Sequence, residues 1–422
     1  MSEINYKHLK PYHLAKRPHR QPMWTRIVIR IASDLCLLGV KNKVTKVNME
    51  GLKPPYFLLS NHMQFVDFYM MSKGTFPHPV SNVVTVDGYY RRAILLEIIG
   101  SIGTRKFVSD VSMVKNMLHV VKKNKDVLCM FPEARYSPCG TLAYLPEGVG
   151  AMAKKMNVPV VVAKHHGNYL YTPFWSYRHK RKEAVLHTEF KKILTPEQMA
   201  EMSPREIDDV IRREMRYDEY RYQYENNIRI TYEKRAEGLH KVLYQCPACK
   251  TEFKMTSKGA TLTCGHCGKS WEMDELGRMH ATEGETEFPH VPDWFEWQRE
   301  NVKKEVAEGR YRFEDDVRVY SLYNPKKFVY LGDAKVVHDE NGFTLTGNYE
   351  GQPYTVTRSS KGMYGLHVEY EYCYIEPKDC FDISTPTDSF YCYPTKENVV
   401  TKLSFATEEI YKKVNPNHTL EN

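Results

Sequence analysis

An α/β layer structure with a mixed sheet flanked by helices, followed by a cysteine-knuckle segment and a β-rich region, is the architecture the sequence predicts. Three observations carry it. Short apolar runs alternate with helical stretches from residue 54 to about 188; two CxxC pairs bracket residues 250–263; and many short strand-like runs beyond residue 316 precede one final helix. A chain of 422 residues exceeds a single domain's usual size, so several folding units are expected. The predicted boundaries are 1–240, 241–280 and 281–422.

Residues 1–22 carry five lysines and arginines against one acid and read as a basic, poorly structured arm. Over residues 23–40, Ile27, Ile31, Leu35 and Leu38 fall on one helical face while Arg26, Arg30 and Asp34 fall on another. This is an amphipathic helix, suited either to a membrane interface or to packing on its own domain. Residues 56–60, 83–86, 127–131 and 158–163 read as buried strands, and residues 91–99, 110–124 and 146–156 as helices. Ser203-Pro204-Arg205-Glu206 is a capping box with proline at the first helical position, so a helix is expected from 204 to about 222. Tyrosine alternating with charge over 217–224 reads as a solvated connector. Further on, residues 317–320, 328–331, 335–337, 343–346, 354–357, 365–370, 381–383 and 390–393 are candidate strands, with Asn341-Gly342 as a hairpin signal. A helix over about 396–413 follows. Strands closed by one helix suit a small barrel or sandwich, by analogy with a pleckstrin-homology fold.

Hydrophobic residues make up 42% of the chain and charged residues 27%, an ordinary globular balance. No segment reaches eighteen uncharged apolar residues, and the N-terminus lacks the apolar core of a secretory signal. A cytoplasmic protein, peripheral on the inner face of the membrane, is expected. The net charge of +8 is unevenly spread: residues 1–192 hold 30 lysines and arginines against 12 acids, and the remainder 30 against 40. The basic half attracts polyanions: nucleic acid, anionic headgroups or a phosphorylated substrate.

Chemistry concentrates in two motifs, NHMQFVD at 61–67 and FPEARYS at 131–137. If His62 lies on a loop and Asp67 in the helix after it, the carboxylate can accept from one imidazole nitrogen and leave the other to take a proton. Gly100 to Arg105 forms a further block after the first, and Val158 to Val162 with Gly167 a last one. In this order the four blocks resemble the glycerolipid acyltransferases, the 1-acylglycerol-3-phosphate acyltransferase family, over residues 23–190. The resemblance implies direct acyl transfer, with His62 as general base, Asp67 orienting it, and backbone N–H groups holding the oxyanion. The donor would be acyl-CoA or acyl carrier protein and the acceptor a lysophospholipid. Arg105, Glu133 and Arg135 correspond to the family's acceptor-placing residues. One departure stands out: the family's third block reads FPEGTRS, so the arginine here lies one position early and Tyr136 takes its place. Such a shift redirects a guanidinium. His165 and His166 lack a partner at ligand spacing, and Ser137 lacks a GxSxG elbow; neither is given a role.

Cys246, Cys249, Cys264 and Cys267 have the spacing of a four-thiolate zinc site and resemble a zinc ribbon, with structural Zn2+ as the expected cofactor. Four thiolates close the shell and leave no position for substrate. A rival reading makes the ribbon a nucleic-acid- or protein-binding module fused to a non-catalytic acyltransferase-like domain. The acids that follow the ribbon do not favour a phosphate track, so the expected partners are anionic membrane, lysophospholipid and acyl thioester.

Overall fold

The structure is a computed structural model that describes residues 4–6, 9–145, 147–176 and 179–416. It resolves into two compact units, each discontinuous in sequence. One comprises residues 13–104 and 110–230; the other gathers residues 105–109 and 231–419 with the N-terminal dozen. The cysteine knuckles and the β-rich region therefore share one unit.

The first unit opens with α1 (Met23–Cys36), β1 (Asn42–Val47), β2 (Phe57–Ser60), α2 (Val66–Thr75), β3 (Val80–Thr85), α3 (Ala93–Ile98), β4 (Ile102–Thr104) and α4 (Val111–His119). It continues with β5 (Val127–Met130), α5 (Val149–Met156), β6 (Val160–His166), α6 (Asn168–Tyr171), β7 (Leu186–Leu194), α7 (Pro196–Ala200), α8 (Pro204–Met215) and α9 (Glu219–Glu225). Seven strands form one sheet in the order β1-β7-β6-β2-β5-β3-β4. Only the β6–β7 pairing is antiparallel; the rest are parallel, so the sheet is mixed as expected.

Both faces of the central strands are covered. Phe57 and Leu59 of β2 pack with Leu128, Val160, Val162 and residues of α5 and α8. Leu58 points the opposite way, with Cys129, Val161, Ala163 and Phe190. Two-sided burial explains why these strands read as continuous apolar runs. β1, at the sheet edge, and β7, next to it, went unread because each mixes lysine with apolar residues, as a strand with one wetter face does. The helix expected over 110–124 ends at His119 and passes into a π turn, Val120–Asn124. Ser203 and Glu206 form the expected capping box at α8.

The basic arm has no helix or strand between residues 13 and 22, but it is pinned. Arg20 Nε donates to Asp126 Oδ1 at 3.0 Å, the Val80 N–H donates to Gln21 Oε1, and Asn116 and Asn124 donate to its carbonyls. α1 carries its apolar face outward. Thr25 and Ser33 are its buried residues, while Trp24, Ile27, Val28, Ile31, Leu35 and Leu38 are between 44% and 72% exposed. Packing of that face on its own unit is thereby excluded.

The second unit contains a four-stranded antiparallel sheet, β8 (Met255–Lys258), β9 (Thr261–Cys264), β10 (Ser270–Met273) and β11 (Met279–Ala281), then α10 (Val291–Ala307). Trp271 of β10 meets Trp294 of α10 edge to face at 5.0 Å, and both are fully buried. A seven-stranded antiparallel sheet follows: β12 (Phe313–Asn324), β13 (Lys327–Asp339), β14 (Gly342–Tyr349), β15 (Gln352–Ser359), β16 (His367–Glu369), β17 (Cys380–Ser384) and β18 (Ser389–Pro394), ordered β15-β14-β13-β12-β18-β17-β16. α11 (Val400–Val414) ends it. Runs expected as separate strands at 328–331 and 335–337 are one strand, since the register shifts in the β12–β13 pairing bend the ladder without ending it. The hairpin at Asn341-Gly342 is real but displaced by one residue. Gly342 pairs with Asp339, and Glu340-Asn341 make the turn. Gly342 has φ +108°, and a Cβ there would meet Arg358 O at 2.0 Å, so no other residue fits.

Candidate active site and metal centre

β2, β5 and β6 run parallel side by side, so their carboxyl ends share one edge of the sheet. The segments leaving those ends begin at Asn61, Phe131 and Gly167. Ligand sites of open α/β sheets gather at this edge. Asn61 ties two of the segments together: its Nδ2 donates to His165 O at 3.0 Å and its Oδ1 accepts from His165 N at 2.8 Å. That pairing gives the asparagine before the histidine a physical reason.

His62 lies on the loop and Asp67 in the first turn of α2, as the chemistry requires. His62 Nδ1 and Asp67 Oδ2 are 2.9 Å apart. The carboxylate is fully buried while 23% of the imidazole is exposed. Asp67 Oδ2 also accepts from Met63 N at 2.7 Å and Gln64 N at 3.1 Å, and Oδ1 accepts from Asn168 Nδ2 at 2.8 Å. Burial alone would raise this carboxyl, but the hydrogen bonds from His62 and Asn168 hold it below its ordinary range. Burial pushes neighbouring His165 down to about 4, so it is uncharged at neutral pH. The hydrogen bonds are therefore what keep Asp67 ionised. A carboxylate in that state accepts the Nδ1–H hydrogen bond and leaves the Nε2 lone pair facing away from itself.

Glu133 is buried beneath the same loop. Its Oε1 accepts from His62 N at 3.0 Å, its Oε2 from Ala143 N at 2.9 Å, and Tyr217 Oη donates to both, at 3.3 and 3.1 Å. Burial raises the carboxyl to about 7 against these donors and the Arg135 charge. Arg135 is only 6% exposed. The turn that presents Glu133 has Pro132 at its second position and closes from Ala134 N to Phe131 O at 3.1 Å. Ala134 then sits at φ +55°, a conformation suited to glycine, and glycine is what the resembled block carries there.

Rings cover the imidazole. Phe131 stacks on His62 at 4.0 Å, Tyr136 lies against it at 4.4 Å, and Phe174 packs on Tyr136 at 5.4 Å. Tyr136, the residue at the displaced-arginine position, thus lies beside the His62 ring.

Of the residues singled out from sequence, His62, Asp67, Glu133 and Arg135 come together in the first unit. Arg105 belongs to the second, where its guanidinium donates to Ser389 Oγ and Thr387 O, each at 2.9 Å, and to Leu322 O at 3.3 Å. The N–H groups of residues 62–65 are all engaged: His62 by Glu133, Met63 and Gln64 by Asp67, and Phe65 by Gln64 Oε1. Any oxyanion donor therefore comes from elsewhere. Residues 217–224 are not a solvated connector. Tyr217 serves Glu133, and Glu219 is fully buried with its oxygens on His166 Nδ1 (3.0 Å) and Gly167 N (2.6 Å). Spacing could not reveal Tyr217, Glu219 or Asn168, because each acts across the sheet rather than along the chain.

The four cysteines converge. Their Sγ atoms lie within 4.8 Å of one another, with Cys246 to Cys267 at 3.8 Å and Cys249 to Cys264 at 3.7 Å. A tetrahedron with metal–sulfur bonds of about 2.3 Å has edges of about 3.8 Å, so the thiol set fits zinc. The two knuckles repeat one geometry. Lys250 N donates to Cys246 O and Gly268 N to Cys264 O, each at 2.9 Å, with Lys250 and Gly268 both at positive φ. No disulfide competes for the cysteines of the described residues.

No protein-family model matches this chain, and no curated protein does. Among solved structures it is similar to the 1-acyl-sn-glycerophosphate (LPA) acyltransferase PlsC from Thermotoga maritima. Identity is 14% over 46% of this chain and 78% of that one, with a TM-score of 0.36. A likeness of that size carries no argument about chemistry, which rests on the residues.

Proposed function

We propose that this chain is an acyltransferase that moves a fatty acyl group from a thioester, acyl-CoA or acyl carrier protein, to the hydroxyl of a lysophospholipid. The observation that carries the reading is the 2.9 Å contact between the partly exposed His62 imidazole and the fully buried Asp67 carboxylate. His62 Nε2 takes the hydroxyl proton as the oxygen attacks the thioester carbonyl. The tetrahedral intermediate collapses with breakage of the C–S bond, and the thiolate leaves with the proton from the imidazolium. Asp67 stabilises that imidazolium throughout. The rings of Phe131 and Tyr136 supply an apolar wall for the acceptor's carbon skeleton, while Glu133 and Arg135 hold the site from its buried side.

Peripheral attachment to an anionic membrane belongs to the same reading. It is supported by the outward apolar face of α1 and the basic excess of residues 1–192. Among the described residues no helix is long and apolar enough to cross a membrane. Zinc, bound by four thiolates, holds the ribbon and takes no part in transfer.

The test is thiol release from acyl-CoA and acyl carrier protein thioesters with a panel of lysophospholipids. Wild-type protein should release thiol with at least one pair, and His62→Ala should lower the rate about 10²–10⁴-fold. Full activity in His62→Ala, or no release with any pair, overturns the proposal.

A further inference from the structure

We propose that Asn168 is a positioning residue of this site: its amide holds the Asp67 carboxylate in the orientation from which it supports the His62 imidazolium. This rests on the reading of His62 as a base. Asp67 Oδ2 is shared by His62 Nδ1 and two main-chain N–H groups. Oδ1 faces the opposite way, and among the described residues Asn168 Nδ2 is its one donor, at 2.8 Å, with both side chains fully buried. Loss of that donor would leave one lone-pair set of a buried carboxylate unsatisfied and free the group to rotate about its last bond.

Three anchors deliver Asn168 to this place. β6 ends with His165 clamped to Asn61. Gly167 then turns the chain at φ +80°, where a Cβ would strike Val185 O at 2.1 Å. Its N–H is held by Glu219. So the corner after β6 has fixed geometry, and its next side chain points at α2. The carboxylate has no proton to give, so the amide must present its NH2 group. This leaves Asn168 Oδ1 buried without a partner among the described residues.

The residue type also matters. The titratable groups facing Asp67 are His62 on its own loop, His165 on β6 and Glu219 on α9. His165 stays uncharged and Glu219 has the same sign as Asp67, so a neutral donor steadies the carboxylate without altering the charge available to His62. A carboxyl at position 168 would repel Asp67 or compete for its proton.

The test uses the full chain with 13C-labelled histidine, the His62 signal being assigned by its absence in His62→Gln. In Asn168→Leu the His62 titration midpoint should move downward, because an Asp67 carboxylate freed from its fixed orientation supports the imidazolium less. In Asn168→Asp it should move by about one pH unit or more, or split into two steps, a tenfold change in proton affinity. The rise of thiol release with pH should move with the His62 midpoint in each variant. Asn226→Asp, on an exposed helix end, should leave both measurements unchanged. If either variant fails to fold by circular dichroism, the other decides. Unchanged His62 titration in every folded variant overturns the proposal. Absence of thiol release by wild-type protein defeats the acyltransferase reading alone, since the titration still reports on Asn168.

Discussion

Glu133 Oε1 accepts the main-chain N–H of His62 at 3.0 Å, so the acid of the second motif acts on the backbone of the first. Glu133, a side chain expected at the acceptor, braces the loop that carries His62. Its other oxygen holds Ala143 N and Tyr217 Oη. One buried carboxyl thereby joins the loop after β2, the segment after β5 and the approach to α9.

Replacing this brace should change how stability depends on pH. Burial lifts the Glu133 carboxyl from 4.5 to about 7. Between those values the folded chain holds a proton that the unfolded chain has released. This contribution is complete below the lower value and is lost as pH rises through the upper one. Glu133→Gln should cost about 1–3 kcal/mol by leaving a donor unpaired. It should also flatten the fall in stability between pH 5.5 and 7.5. Denaturant unfolding of both proteins at the two pH values measures this, and parallel changes would refute the assignment.

Ala134 offers a gain. At φ +55° it pays a steric cost that glycine does not. Ala134→Gly should raise stability by up to about 1 kcal/mol, with thiol release retained. A lower unfolding midpoint would contradict the left-handed turn.

Zinc should be present at one equivalent per chain, with Cys249→Ser losing most of it. A four-thiolate site couples binding to folding, so a thiol-reactive mercurial with a chelator should release the metal and abolish the protection of β8–β11 amides against hydrogen exchange. Freshly purified protein free of zinc would remove the assignment.

The outward face of α1 sets the membrane prediction. Ile27→Ser, Ile31→Ser and Leu35→Ser combined should lower co-sedimentation with anionic vesicles at least tenfold, since each apolar side chain gains about 1.5–3 kcal/mol on full burial. All three side chains are exposed, so the thermal midpoint should hardly move. Equal sedimentation of wild-type protein with neutral and anionic vesicles would exclude the electrostatic part.

Much of this was legible in the residues because the signals are local. His62 and Asp67 meet through a loop and one helical turn, the cysteines through two short knuckles, and the α8 cap through four consecutive residues. Apolar runs announced β2, β5 and β6 because burial on both faces leaves no room for polar side chains. β1 and β7 escaped because mixed lysine and apolar residues carry no such pattern.

What the tertiary structure decided is everything that acts between segments. Asn61 pairs with His165, Glu133 with His62, and Asn168 with Asp67 across gaps of 104, 71 and 101 residues. Parallel strands make this possible by bringing loops distant in sequence to a single edge. The same order of residues that sets His62 five positions before Asp67 is silent on which amide reaches that carboxylate. Hydrogen bonds across a sheet depend on strand order and register, which no local pattern encodes.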